Sequence, residues 1–265
     1  MPVVRIGPDT RVVLTGASRG IGRALAHALS QRGARLGLIA RGVDELRALC
    51  DRLGGDATPL AADVGDREAL QAAVSSFLEE IGGVDLAIAN AGVARYGPFS
   101  EQNPSDAEAM VKTNVLGTIN TVRAVLDPML DRGSGHIVVV SSGAGLRAFP
   151  WAAVYGATKA ADKGFAEALR HELSGTGVSV TTVFPGEVQS SLHREAEQLP
   201  DWRDSHDAIA PELVAEATIE AIESDRRELH IPRQVRLLGL NDLAPGLVDR
   251  LLAMVRGGSA APRRY

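Results

Sequence analysis

Short apolar runs alternate with longer amphipathic stretches along most of this chain. The runs at Arg11–Thr15, Arg35–Ile39, Thr58–Ala62, Val84–Ala89, His136–Val140 and Val178–Phe184, with a short one at Leu229–Ile231, are rich in β-branched residues and read as buried strands. Between them, apolar positions recur at helical spacing. This predicts helices from the turn after the first strand to about Arg32, then over Asp44–Leu53, Asp66–Glu80, Ser105–Asp131, Tyr155–Ser174 and Pro211–Ser224. Strands alternating with helices at this spacing specify a parallel sheet, here of about seven strands, covered on both faces in three α/β/α layers. Such a doubly wound sheet binds ligands at the carboxyl ends of its strands. One domain over residues 1–265 is expected, with its core at about 9–232 and no interdomain linker. Residues 187–210 are polar and irregular and read as a lid over a substrate. An apolar tail spans about 233–265, where Leu247, Leu251, Leu252 and Val255 form a helical stripe.

Composition narrows the function classes. A chain of 265 residues with 45% hydrophobic content can bury one sizeable core. A net charge of −5 argues against a nucleic-acid surface. The single cysteine, Cys50, excludes an internal disulfide, suits a reducing compartment, and reads as a helix-packing residue. No signal-like apolar run opens the chain, and no stretch reaches the roughly 18 apolar residues of a membrane span, so a soluble cytoplasmic protein is expected. With Arg233, Arg236, Arg250 and Arg256 nearby, the tail leaves room for membrane-surface contact, against core or subunit packing. The six histidines show no metal-ligand spacing. Only Lys112, Lys159 and Lys163 are lysines among 28 basic residues, so lysine at 159 is a choice against a strong arginine bias.

Candidate chemistry sits where strands end. Gly16-Ala17-Ser18-Arg19-Gly20-Ile21-Gly22 follows the first strand and opens the first helix. Amide N–H groups, helix dipole and missing Cβ atoms make that turn a pyrophosphate site. Gly16–Gly20 also fits the G-x-S-x-G elbow of α/β hydrolases, but almost no chain precedes it to supply an oxyanion donor. The second strand closes with Ala40-Arg41, where a carboxylate would hold the ribose of NAD and an arginine accommodates the 2′-phosphate of NADP. Arg41 and Arg19 therefore favour NADP(H), with NAD(H) possible and Asp44 the residue that keeps it so. Asp63, followed by Val64, is placed to accept from an adenine amino group or to cap the next helix. Asn90-Ala91-Gly92 offers small residues against a cofactor. Asn114 stands in mid-helix, either bonded locally or aimed at the site to hold a water.

Tyr155 and Lys159 are four apart on one helix and share a face. An ammonium within about 4 Å of a phenol favours phenolate by roughly 4 kcal/mol at an effective dielectric of ~20, which suits proton transfer. Ser142 closes the fifth strand, and its hydroxyl can hydrogen-bond a carbonyl oxygen and stabilise the alkoxide that forms. Tyr96, Leu146, Phe149, Trp151 and Leu192 could line an apolar substrate pocket or simply pack. Ala157, Ala160, Ala161, Gly164 and Ala168 form a stripe of small residues on the Tyr155 helix, for a subunit boundary or for packing on the sheet.

Jointly, Thr15-Gly16-x-x-x-Gly20-x-Gly22, Asp63, Asn90-Ala91-Gly92, Asn114, Ser142, Tyr155-x-x-x-Lys159 and Pro185-Gly186-x-Val188 resemble the short-chain dehydrogenase/reductase family over residues 10 to 190. Ser190 stands where the family's stretch ends in threonine. The resemblance implies a Rossmann-like fold and hydride transfer between NADP(H) and a small-molecule carbonyl or alcohol. Tyr155 would be the general acid/base. Lys159 would acidify it, bind the nicotinamide ribose and reach Asn114 through water. Ser142 would orient the carbonyl, and the Val188 backbone would meet the nicotinamide carboxamide. A homodimer or homotetramer built on two long helices is implied too. An NADP-binding redox sensor that kept the fold is the non-catalytic alternative.

Overall fold

The computed structural model of the protein describes residues 4–54, 56–189, 208–242 and 245–246. Seven strands form one sheet in the order β3-β2-β1-β4-β5-β6-β7, every pair parallel. They are β1 (Arg11–Thr15), β2 (Arg35–Ala40), β3 (Ala57–Ala61), β4 (Leu86–Ala89), β5 (Gly135–Val140), β6 (Val178–Pro185) and β7 (Glu228–Ile231). The helices are α1 (Gly20–Gln31), α2 (Val43–Leu53), α3 (Arg67–Ile81), α4 (Pro104–Met110), α5 (Gly117–Arg132), α6 (Ala153–Glu172) and α7 (Pro211–Glu223). The Rossmann-like three-layer architecture expected from the alternating pattern is present.

Burial on both faces explains why the strands read as near-continuous apolar runs. Val12 and Leu14 of β1 point into a core shared with α1, α2 and α7. Val13, between them, points into the opposite core with α3, α5 and α6. Pro59 lies in β3, an edge strand, where its missing N–H costs no ladder bond on the open side. Cys50 is buried on α2 as a packing residue, and burial pushes its thiol pKa up. Asp66 caps α3, accepting from Glu68 N and Ala69 N, and Gly82 ends that helix in the left-handed conformation.

Two departures from the expected elements matter for the site. The helix expected over Ser105–Asp131 is interrupted by a π turn at Val111–Leu116, with Asn114 inside it. The small-residue stripe of α6 faces outward: Ala157, Ala160, Ala161, Gly164 and Ala168 are all exposed, so packing on the sheet does not account for it. At the far end of β5 from the site, His136 is buried beside Thr181, and burial pushes its imidazole down to about 4. No helix among the described residues is long and apolar enough to cross a membrane.

Candidate functional site

The order β3-β2-β1-β4 reverses chain direction between β1 and β4, and a cleft opens there at the carboxyl ends of the strands. It encloses about 1150 Å³, counting the solvent at its mouth. Gly16 leaves β1 with φ +68, and a Cβ there would lie 2.7 Å from the Ala91 backbone. A Cβ on Gly22, buried beneath the turn, would collide with the Gly16 carbonyl oxygen. Asn90 locks the turn from below, its Nδ2 donating to the carbonyl oxygens of Thr15 (3.0 Å) and Gly16 (3.2 Å). Thr15 returns the favour to β4, its Oγ1 accepting from Asn90 N and Ala91 N.

This bracket leaves the N-terminus of α1 open. No side chain among the described residues caps it, and no acid stands in its first turn. Unsatisfied amides and a positive dipole end at a cleft wall fit a pyrophosphate. Gly16, Ser18, Arg19, Gly20 and Ile21 line this wall, and Arg41, Asp63 and Val64 line the next. Arg19 and Arg41 are exposed, and among the described residues neither guanidinium has a carboxylate partner. Asp44 lies outside the cleft, in the first turn of α2. Asp63 does not cap α3, since Asp66 does; one Asp63 oxygen accepts from Gly65 N at 2.9 Å. Asn90, Ala91 and Gly92, then Pro185, Gly186 and Val188, complete the cofactor-sized walls.

The other half of the cleft is built on α6. Tyr155 and Lys159 both line it and are almost fully buried. The Tyr155 ring packs against Tyr96 at 5.9 Å between centroids, and no group among the described residues hydrogen-bonds its hydroxyl. Lys159 Nζ donates to the Val140 carbonyl oxygen and to Asp162 Oδ2, each at 2.9 Å. Burial draws the lysine pKa down, but Asp162 and Tyr155 more than offset it, so it lies above the ordinary value. Ser142 also lines the cleft, and its Oγ accepts from Ala144 N at 3.1 Å, which leaves the hydroxyl proton free to be donated.

Asn114 is not on the cleft wall. Its amide oxygen accepts from Val93 N at 2.8 Å, and its Nδ2 donates to Val93 O at 3.0 Å and Thr158 Oγ1 at 2.9 Å. The side chain acts as a clamp between the loop after β4 and α6, which is the locally bonded of its two expected readings. Leu146 is buried against Phe184 and Val235, Phe149 is half-buried, and Trp151 is 37% exposed in a left-handed conformation; neither these nor Tyr96 line the cleft. Leu192 and most of the expected lid, with the tail stripe, lie outside the described residues. The ends of the lid segment are joined: Gln189 N donates to Ile209 O, and Ile209 N to Glu187 O.

Val93, Thr113 and Ser141 on the walls, and Asp162 and Thr158 behind Lys159, have no counterpart among the sequence-derived candidates. The Lys-x-x-Asp spacing of residues 159 and 162 was the one local signal for Asp162. On a helix of unknown orientation it reads as a solvated surface pair.

A family model for short chain dehydrogenase matches residues 10–200. The ketoacyl reductase HetN of Nostoc sp. is 32% identical over 254 residues, covering 91% of this chain and 87% of its own. A short-chain dehydrogenase/reductase from Burkholderia phymatum in complex with NAD superposes with a TM-score of 0.81 at 25% identity, over 99% of this chain and 100% of that one. An alcohol dehydrogenase from Thermococcus sibiricus complexed with 5-hydroxy-NADP gives 0.74 at 29% identity, over 83% and 94%. These matches are to dehydrogenases and reductases and not to α/β hydrolases. The chain belongs to the short-chain dehydrogenase family and is an NAD(P)-dependent oxidoreductase.

Proposed function

We propose that the protein interconverts an alcohol with a ketone or aldehyde, using NADP(H) in preference to NAD(H), with Tyr155 as general acid/base. The observation that carries this reading is that Ser142, Tyr155 and Lys159 share one cleft with an uncapped helix N-terminus. Arg19 and Arg41, exposed and without a carboxylate partner among the described residues, support the cofactor preference, because a 2′-phosphate beside Ala40 would find two cations there.

The bound nicotinamide supplies or accepts the hydride. The amides of residues 18–21 would hold its pyrophosphate, Asp63 and Val64 its adenine, and Pro185, Gly186 and the Val188 backbone its nicotinamide end. Ser142 donates to the carbonyl oxygen and orients it. Tyr155 gives that oxygen a proton in reduction and takes it back in oxidation. Lys159 offers positive charge to the phenolate that remains, and its third ammonium proton is available to the nicotinamide ribose. The apolar surroundings of Tyr155, formed by Ala94, Met110, Val93 and Tyr96, keep the transfer dry and suit a bulky hydrophobic substrate of steroid, acyl or polyketide type. A ketoacyl reductase among the relatives agrees with an acyl substrate. The outward stripe of small residues on α6, with Val111 and Leu116 exposed on the π turn, supports a homodimer or homotetramer.

Tyr155→Phe tests the reading. Turnover should fall by about 10²–10⁴-fold, the range of general acid–base catalysis, while NADPH binding stays near the wild-type level. Retained turnover, across a panel of ketones and alcohols assayed by nicotinamide absorbance with both cofactors, would refute the role of Tyr155.

A further inference from the structure

Asp162 stands on α6 three residues beyond Lys159 and is 1% exposed. A carboxylate at that depth needs partners, and it has two. Lys159 Nζ donates to it at 2.9 Å, and the Thr118 hydroxyl on α5 lies near enough to favour its ionised form. The Thr118 Oγ1 donates its proton to the Asn114 carbonyl oxygen at 2.7 Å, so toward Asp162 it presents its dipole. Polar groups therefore gather behind the cleft: Thr118, bonded to the Asn114 carbonyl, stands beside Asp162, which holds Lys159.

We propose that Asp162 is a positioning residue for the Tyr155–Lys159 couple, fixing the ammonium and setting the pH range over which the couple moves a proton. The proposal rests on the reading of Tyr155 as general acid/base. An ammonium carries three protons. One goes to the Val140 carbonyl oxygen and one to Asp162, which leaves one for the cleft and one orientation for the head group. The carboxylate also cancels part of the positive potential that favours phenolate.

Without Asp162 that potential acts undiminished, and phenolate forms at lower pH. The buried ammonium, deprived of its counter-ion, then also loses its proton at lower pH. The titratable groups acting on Lys159 are Asp162 and Tyr155, both on α6. The neighbouring elements present Thr118 from α5, Asn114 from the π turn and the Val140 carbonyl from β5, none of which titrates. Burial pushes the Asp162 carboxyl up against the pull of Lys159 and Thr118, so loss of either partner weakens it as an anion.

The test is the pH profile of kcat/KM for alcohol oxidation in Asp162→Asn, which keeps the shape and removes the charge. Both limbs should move to lower pH, the acid limb by about one unit. Asp162→Glu should restore the wild-type profile in large part. Thr118→Val keeps the ion pair but removes a hydroxyl that holds the carboxyl ionised, and its acid limb should move the same way by about half a unit. That variant keeps the proposal falsifiable where Asp162→Asn does not fold. Unmoved limbs in the folded variants, with Tyr155→Phe inactive, overturn this proposal alone. Turnover retained in Tyr155→Phe overturns the parent reading and this one with it.

Discussion

The two ends of the cleft handle charge in opposite ways. At its mouth, Arg19 and Arg41 stand in solvent with no carboxylate partner among the described residues. At its floor, Lys159 and Asp162 are nearly inaccessible; they pair with each other, and the lysine also donates to the Val140 carbonyl of β5. Exposed charges interact through water and are screened by salt, so they can select among ligands without being needed for the fold. Buried ones lose hydration, and only mutual pairing makes them tolerable. Cofactor choice should therefore be easy to change in this protein, and the catalytic couple hard to change.

Lys159→Met breaks that comparison most severely. It should abolish turnover and cost about 3–5 kcal/mol of stability, because it leaves Asp162 buried and unpaired. Denaturant unfolding checks this, and the sign of its pH dependence checks the cause. In the variant the folded carboxyl has a raised pKa, so the deficit should shrink as pH falls and Asp162 takes up a proton. A variant as stable as wild type at neutral pH would mean that the pair is not buried as described.

Arg41→Asp probes the mouth. The ratio of NADPH to NADH specificity should drop by about 10–100-fold, the worth of one charge-assisted hydrogen bond, with unchanged unfolding behaviour. Equal ratios in variant and wild type would reject the 2′-phosphate assignment. Arg19→Ala should act least, weakening NADPH binding by roughly 3–10-fold at low salt, and by less as ionic strength rises. A salt-independent loss would place Arg19 with the floor and not with the mouth.

The strands, the helices and the glycine turn were legible because each follows from local rules: β-branched runs, helical spacing, and glycine where backbone must pass close to backbone. Much of the cleft wall was legible for a related reason, since parallel strands deliver their carboxyl ends to one edge and the glycine turn, Arg41, Asp63, Asn90 and Ser142 all follow such ends. Asn114 and Asp162 show where local rules stop. An asparagine in mid-helix carries no mark of the π turn that admits it, nor of the Val93 and Thr158 groups it joins. Asp162 carries no local mark of its burial, which comes from the packing of the π turn and neighbouring elements against α6.

The chain's pattern alone therefore determined the sheet, its layers, the edge where ligands bind and the chemical types gathered there, because these depend on neighbours in sequence. The tertiary structure alone decided which charges are buried and which stand in water, which asparagine turns inward, and that the small-residue face of α6 points out. Those properties depend on what packs against a residue from distant parts of the chain, and side-chain order along a single helix does not contain that information.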